Sequence, residues 1–138
     1  MDYPKLQSIL LLDDDPANNF LNRLLINEMK LTDELHIFTD APSALLFLAS
    51  LDSAQQDLHW PTLLLVDINM PVMDGFEFIE RYYALTGTNK ENAQLALLTS
   101  SVYPRDIEKA KQYRVAAYLN KPLTENQLAK VVMRQAEG

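Results

Sequence analysis

The stretch Ile9-Leu-Leu-Leu-Asp-Asp-Asp-Pro16 joins a short apolar run to three consecutive acids. Four apolar residues in a row are typical of a strand buried on both faces, as in a parallel sheet. Apolar residues at helical spacing follow over 17–29. We expect that stripe to face the core, and its members are Phe20, Leu21, Leu24, Leu25 and Met29. A strand followed by a helix is therefore the first unit of the predicted fold.

The same alternation of strand and helix patterns continues to the end of the chain. Short apolar runs predict strands at 36–38, 63–66, 95–98 and 117–119. Helical patterns predict helices at 43–51, about 75–85, 104 to about 114, and 124–136. Their expected inward residues are Ala44, Leu45, Leu48, Phe76, Ile79, Tyr83, Leu128, Val131 and Val132. Residues 52–62, with Trp60 and Pro61, and residues 86–94 are predicted to be surface loops. The pattern as a whole predicts an α/β fold, a five-stranded parallel sheet with helices on both faces.

Composition narrows the classes of function. The 138 residues suit a single domain spanning 1–138 with no separate output domain. A formal charge of −7 disfavours non-specific binding to nucleic acid or to an anionic membrane. The absence of cysteine excludes disulfides, zinc–thiolate sites and a cysteine nucleophile, and it fits a cytoplasmic location. The N-terminal apolar run is too short for a signal peptide or a membrane span.

Polar side chains follow four of the predicted strands. Asp13 and Asp14 follow the first strand, Asp67 the third, Thr99 the fourth and Lys121 the fifth. In an open α/β sheet, ligands bind beyond the carboxyl ends of the strands, where the strand order reverses. With strands in the order 2-1-3-4-5, the three aspartates meet at that point, and the threonine and the lysine lie on its far side.

These residue types suit phosphoryl transfer. Two carboxylates 4 Å apart repel by about 4 kcal/mol at an effective dielectric constant of 20, so such a cluster takes up protons or holds a cation. Oxygen ligands without His or Cys favour Mg²⁺ or Mn²⁺. Lys121 and Thr99 offer a charge and a hydroxyl to phosphate oxygens, and a carboxylate can itself accept the phosphoryl group. Taken singly, each residue also fits a plain structural role, and Asp15 is expected only to cap a helix.

Four motifs together resemble the receiver domain of two-component response regulators. They are Ile9-Leu-Leu-Leu-Asp-Asp-Asp-Pro16, Asp67-Ile-Asn-Met-Pro-Val-Met-Asp-Gly75, Leu98-Thr-Ser-Ser101 and Asn120-Lys-Pro122. The resemblance covers nearly the whole chain and is closest to stand-alone, chemotaxis-type receivers. It implies a flavodoxin-like three-layer sandwich with strand order 2-1-3-4-5.

The resemblance also implies a role for each site residue. Asp67 corresponds to the phosphoacceptor, which takes its phosphoryl group from a sensor histidine kinase or a histidine phosphotransfer protein. Asp13, Asp14, Asp67 and the backbone carbonyl of Asn69 correspond to the Mg²⁺ ligands. The other implied roles belong to Thr99 as switch hydroxyl, Tyr118 as switch aromatic, Lys121 as partner of the phosphoryl oxygens, and Pro122 as the second residue of a cis peptide.

The function implied is signalling rather than enzymatic. Phosphorylation of Asp67 would switch a surface around residues 104–136 that binds a downstream protein target. Two alternatives stay open at this stage. One is a haloacid-dehalogenase-type phosphatase, because Asp13-Asp-Asp-Pro-Ala17 nearly fits the opening motif of that class with Asp13 as nucleophile. The other is a pseudo-receiver, an interaction module that is never phosphorylated.

Overall fold

Five parallel strands form one sheet in the computed structural model, which describes residues 2–53, 60–85, 93–100 and 104–137. The spatial order is β2-β1-β3-β4-β5, as predicted. The strands are β1 (Ile9–Leu12), β2 (Leu35–Phe38), β3 (Leu63–Asp67), β4 (Gln94–Thr99) and β5 (Ala117–Asn120). The helices are α1 (Pro16–Glu28), α2 (Ala41–Ser53), α3 (Gly75–Tyr83), α4 (Pro104–Ala110) and α5 (Glu125–Glu137).

The apolar strands separate two hydrophobic cores. Because side chains alternate along a strand, Leu10 and Leu12 of β1 join the core under α2 and α3, whereas Ile9 and Leu11 join the core under α1 and α5. Strands β3 and β4 divide in the same way. Each fully buried leucine contributes roughly 1.5–3 kcal/mol of transfer free energy. The uninterrupted apolar runs are thus explained by burial on both faces.

The predicted inward stripe of α1 is wrong for most of its members, although Met29 is buried as expected. Phe20, Leu21 and Leu24 are 51%, 59% and 46% exposed, and Leu25 is only half-buried. The buried face lies about one residue further round the helix and consists of Asn19, Asn22, Ile26 and Met29. The reason is that buried main-chain carbonyls at the ends of β1 and β2 need hydrogen-bond donors. The Asn19 side chain faces inward and donates to them. An apolar periodicity alone cannot indicate that requirement.

The placement of Trp60 on a surface loop is also wrong. Trp60 is buried, and its indole Nε1 donates a hydrogen bond to the hydroxyl oxygen of Tyr82 at 3.2 Å. Tyr82 itself is buried in α3, whereas Tyr83, which the sequence pattern placed inward, is half-buried. A buried indole N–H needs an acceptor, and the tyrosine supplies it. The parts of the two predicted loops at 54–59 and 86–92 lie outside the described residues.

Helix boundaries agree with the predictions except at α4. The chain leaves the helix after Ala110, several residues before the predicted end. Tyr113 then packs its ring on Phe76 and donates its hydroxyl hydrogen to Glu80, both in α3, so tertiary contacts redirect the chain. Asp15 accepts a hydrogen bond from the N–H of Ala17 and caps α1, as predicted. None of the described helices combines the length and apolar character needed to cross a membrane.

Gly75 fixes how closely α3 approaches β3. Its N–H donates to the carbonyl of Ile68 at 2.9 Å. A Cβ atom at this position would lie 2.7 Å from the carbonyl oxygen of Asp67 and 2.9 Å from the Cα of Ile68. Those obstacles are backbone atoms, which cannot swing aside as a side chain can. Only glycine therefore allows the helix to begin directly behind the end of the strand.

We therefore expect Gly75→Ala to lower the free energy of unfolding by about 1–3 kcal/mol, the usual cost of an overpacked contact. Urea denaturation measured in the absence of divalent cations provides the test. Equal stability of the variant and the parent would show that the contact is not restrictive.

Candidate functional site

Three carboxylates meet where β1 and β3 end. The two strands are adjacent, and Leu12 pairs with Val66, so the next residues, Asp13 and Asp67, lie side by side. Carboxylate oxygens of Asp13, Asp14 and Asp67 all lie within 4.8 Å of one another. The first and last are buried, whereas Asp14 is exposed. The predicted acidic cluster therefore exists, and it opens to solvent on the Asp14 side.

Lys121 bridges the two buried carboxylates. Its Nζ lies 2.8 Å from Oδ2 of Asp13 and 3.2 Å from Oδ2 of Asp67. The backbone N–H of Lys121 donates to the carbonyl of Thr99 at 2.8 Å, which ties the end of β5 to the end of β4. The peptide bond between Lys121 and Pro122 is cis, as the resemblance implied.

The electrostatics of the cluster shift the pKa values of two of its groups, Asp67 and Lys121. Burial and the neighbouring Asp13 carboxylate raise the pKa of Asp67 from 3.8 to about 6, against the opposing pull of Lys121. Burial acts to lower the pKa of Lys121, but the Asp13 and Asp67 carboxylates outweigh it and raise that pKa above its usual value. The lysine thus stays charged, and the charged form of Asp67 is disfavoured relative to an exposed aspartate.

The remaining carboxylate oxygens have backbone partners. Oδ1 of Asp67 accepts the N–H of Asn69 at 3.2 Å, and Oδ1 of Asp13 accepts the N–H of Asp15 at 2.9 Å. Asn69 is exposed at the start of the loop after β3, so its carbonyl belongs to the same edge of the sheet. Each buried carboxylate is therefore oriented from two directions.

Thr99 and Tyr118 lie on the lysine side of the cluster. Thr99 is fully buried at the end of β4, one residue beyond Leu98, which pairs with Asp67. Tyr118 lies in β5, is half-buried and packs on the core beneath α2 and α3. Its hydroxyl is shielded from solvent and has no hydrogen-bond partner in the part of the chain that the structure describes.

The donor set fits a divalent cation. Three carboxylates and one ammonium leave a net formal charge of −2 at the cluster. The available ligand atoms are oxygens, and the exposed Asp14 leaves one side open for water or a phosphate oxygen. Mg²⁺ prefers this kind of site, with few carboxylates and open positions. The residues therefore match the metal that the sequence implied.

Sequence reasoning missed one residue near the cluster. Asn19 is buried and donates hydrogen bonds from Nδ2 to the carbonyls of Asp13, at 2.9 Å, and Phe38, at 3.2 Å. The available signal was a pair of asparagines, Asn18 and Asn19, beside the predicted apolar stripe of α1. Nothing in the apolar spacing indicated that one of them faces inward.

Comparison with protein families gives a match of residues 9–133 to the response regulator receiver domain. The chain belongs to this family. A two-component response regulator structure from Cytophaga hutchinsonii is 34% identical, with a TM-score of 0.87, covering 97% of this chain and 99% of that one. An uncharacterized 14.6 kDa protein from the sodA1 3′ region of Leptolyngbya boryana is 34% identical over 126 residues, 91% of this chain and 87% of that protein.

A more distant structure shares the fold. The receiver domain of the histidine kinase CKI1 from Arabidopsis thaliana, complexed with Mg²⁺ and BeF₃⁻, is 18% identical with a TM-score of 0.78. The alignment covers 95% of this chain and 90% of that one. Membership of the receiver family makes this chain a signalling domain. It also weighs against the phosphatase alternative, because the match to the receiver family includes the motif from Asp67 to Gly75, which a phosphatase would leave unexplained.

The raised pKa of Asp67 gives a pH-dependent prediction for the metal-free protein. The protonated carboxyl favours the folded state, so this contribution is complete below pH 3.8 and is lost as the pH rises through about 6. The Asp67→Asn variant lacks the charge at every pH. We therefore expect it to exceed the parent in unfolding free energy at pH 7.5 by about 1–3 kcal/mol, with a smaller difference at pH 4.5.

Urea denaturation in EDTA across this pH range measures the difference. Parallel pH profiles for the parent and Asp67→Asn would contradict the raised pKa. Addition of Mg²⁺ at pH 7.5 should stabilise the parent more than the variant, because the ion offsets the charge that the variant lacks.

Proposed function

We propose that this chain is a response regulator receiver that accepts a phosphoryl group on Asp67 from a phosphohistidine. The donor would be a sensor histidine kinase or a histidine phosphotransfer protein in the cytoplasm. The observation that carries the proposal is the group of three carboxylates within 4.8 Å of one another, two of them bridged by Lys121. Asp13, Asp14, Asp67 and the carbonyl of Asn69 would hold Mg²⁺ or Mn²⁺.

The chemistry assigned to Asp67 is nucleophilic. One of its carboxylate oxygens attacks phosphorus, an O–P bond forms, and the P–N bond breaks as the histidine leaves with the electron pair. Lys121 stands 3.2 Å from Oδ2 and places a fixed positive charge where phosphoryl oxygens would arrive. When bound, the metal neutralises negative charge on the same oxygens. The CKI1 receiver, which holds Mg²⁺ and BeF₃⁻, supports this use of the fold.

Thr99 and Tyr118 are the proposed switch residues. Phosphorylation adds charge and three acceptor oxygens at Asp67. Thr99 lies at the neighbouring strand end and would turn its hydroxyl toward them, and Tyr118 would fill the space that opens beneath it. The change would then reach the surface formed by α4, β5 and α5, where a downstream protein target binds.

Covalent labelling with a small-molecule phosphodonor tests the acceptor. Incubation with acetyl phosphate and Mg²⁺ should add one phosphoryl mass to the parent, and peptide mapping after borohydride reduction should place it on Asp67. We expect Asp67→Asn to lose the label while keeping its circular dichroism spectrum. A label on Asp13 would instead support the phosphatase, and absence of both label and beryllofluoride binding would support the pseudo-receiver.

The exposed face of α1 supports a docking role for the phosphodonor protein. Phe20, Leu21 and Leu24 are exposed and close together on α1, so they form an apolar patch. Single exposed apolar residues are common on protein surfaces, whereas contiguous patches mark interaction sites. The patch is continuous with the site, because Leu21 lines a groove of about 280 Å³ together with Lys121 and Pro122. The phosphohistidine must come within bonding distance of Asp67, so the protein that carries it has to cover the surface around the site, which includes this groove. Its occupant is therefore proposed to be the phosphohistidine protein.

We expect Leu21→Ser with Leu24→Ser to lower kcat/KM for transfer from a phosphohistidine protein about tenfold, the loss of a moderate interface contact. The donor used is the fastest one found by profiling purified histidine kinases. Labelling by acetyl phosphate should be unchanged, because that donor needs no docking surface. The matched control is Leu46→Ser, which alters a 73% exposed leucine on α2, across the sheet. An equal effect of the control would rule out specific docking on α1.

A further inference from the structure

Asn19 closes a ring of hydrogen bonds around the backbone of Asp13. The residue lies near the start of α1 and is only 3% exposed. Its Nδ2 donates to the carbonyl of Asp13 at 2.9 Å and to that of Phe38 at 3.2 Å. The carbonyl of Phe38 also accepts the N–H of Asp13, at 3.1 Å. One side-chain amide thus joins the ends of β1 and β2 at the first residue of the acidic cluster.

Apolar packing alone does not account for an asparagine at this position. Its Oδ1 is buried and has no hydrogen-bond partner among the residues that the structure describes. A buried acceptor without a partner costs free energy, which a leucine of similar size would avoid. The same helix face already buries Ile26 and Met29, so an apolar residue would suit the packing. What the amide supplies and leucine lacks is the pair of bonds to the strand ends.

Those bonds complete the restraint of Asp13. Oδ1 of its carboxylate is held by the N–H of Asp15, and Oδ2 by Nζ of Lys121. Its own N–H and carbonyl are held by Phe38 and Asn19. Without the asparagine, the carbonyl loses its described side-chain partner, and the peptide between Asp13 and Asp14 is free to tilt. That peptide joins Asp13 to Asp14, so its orientation sets the positions of both carboxylates.

We propose that Asn19 is a positioning residue that fixes the Asp13–Asp14 peptide and so sets the geometry in which the acidic pair meets a metal ion. This inference rests on the proposed function, since it assumes that the cluster binds Mg²⁺. Groups that orient metal ligands through hydrogen bonds commonly change metal affinity by 10–100-fold when they are removed. Mg²⁺ demands near-ideal octahedral geometry, whereas Ca²⁺ accepts irregular coordination. Loss of positioning should therefore weaken Mg²⁺ more than Ca²⁺.

Asn19→Leu and the matched control Asn22→Leu test this prediction. Asn22 is a second buried asparagine on the same face of α1, and it makes no hydrogen bond to Asp13. Titration calorimetry of the unphosphorylated full chain gives the Kd for each metal alone. We expect Asn19→Leu to raise the Kd for Mg²⁺ about tenfold and that for Ca²⁺ less than threefold. Asn22→Leu should leave both within twofold of the parent.

Other results would overturn the inference. The inference is wrong if Asn19→Leu binds Mg²⁺ with a Kd within twofold of the parent. It is also wrong if the variant loses affinity for both metals equally, because a general loss of folded structure does not distinguish the two ions. If the parent itself fails to bind Mg²⁺, the proposed function falls as well, so the two failures are distinguishable.

A measurement on the parent covers the case in which Asn19→Leu does not fold. In ¹⁵N spectra, saturation with Mg²⁺ should shift the side-chain NH₂ resonances of Asn19 more than those of Asn22. The side-chain NH₂ protons of Asn19 should also exchange with solvent at least tenfold more slowly than those of Asn22, because two carbonyls accept their hydrogen bonds. Equal shifts and equal exchange for the two asparagines would refute the positioning role.

Discussion

Two buried carboxylates at neighbouring strand ends set the main physical constraint on this molecule. Asp13 and Asp67 would repel strongly away from water, and Lys121, within 3.2 Å of both, makes their burial tolerable. The compensation is incomplete, because the pKa of Asp67 is still raised to about 6. The cluster therefore keeps an unbalanced negative charge that a divalent cation can neutralise. The fold therefore holds a site that favours the binding of a cation.

The sheet order creates this constraint. Placing β1 between β2 and β3 puts the ends of the first and third strands side by side, although Asp13 and Asp67 lie 54 positions apart in the chain. Burial on both faces makes β1 and β3 rigid supports, since a separate hydrophobic core covers each face of the sheet. Gly75 then brings α3 against the main chain at Asp67. Local sequence supplies the acids, but long-range pairing supplies their proximity.

Sequence patterns predicted β1, β3 and β4 well because burial on both faces leaves an uninterrupted apolar run, and shorter apolar runs also indicated the less buried β2 and β5. They predicted the acidic cluster, Lys121 and the strand order because these follow from which residues end each strand and from a specific motif. They failed on α1 and on Trp60, where polar groups decide the packing: an amide that bonds strand ends, and an indole that finds Tyr82. They also gave no indication that Val72 adopts a left-handed backbone with φ of 69°, which β-branched residues rarely do. Such features depend on partners distant in sequence.

The position of Tyr118 bears on how such a site can act as a switch. Its hydroxyl is shielded from solvent and has no hydrogen-bond partner in the described part of the chain, which costs about 1–3 kcal/mol relative to a conformation in which it reaches water. A two-state element responds to a modest signal only when its states differ by a few kcal/mol. In the proposed switch, the unsatisfied hydroxyl of Tyr118 and the charge imbalance at Asp67 would both raise the free energy of the resting conformation. In the proposed switch, neutralising the cluster and rotating this ring would act in the same direction, which would let phosphorylation of Asp67 control the position of the ring.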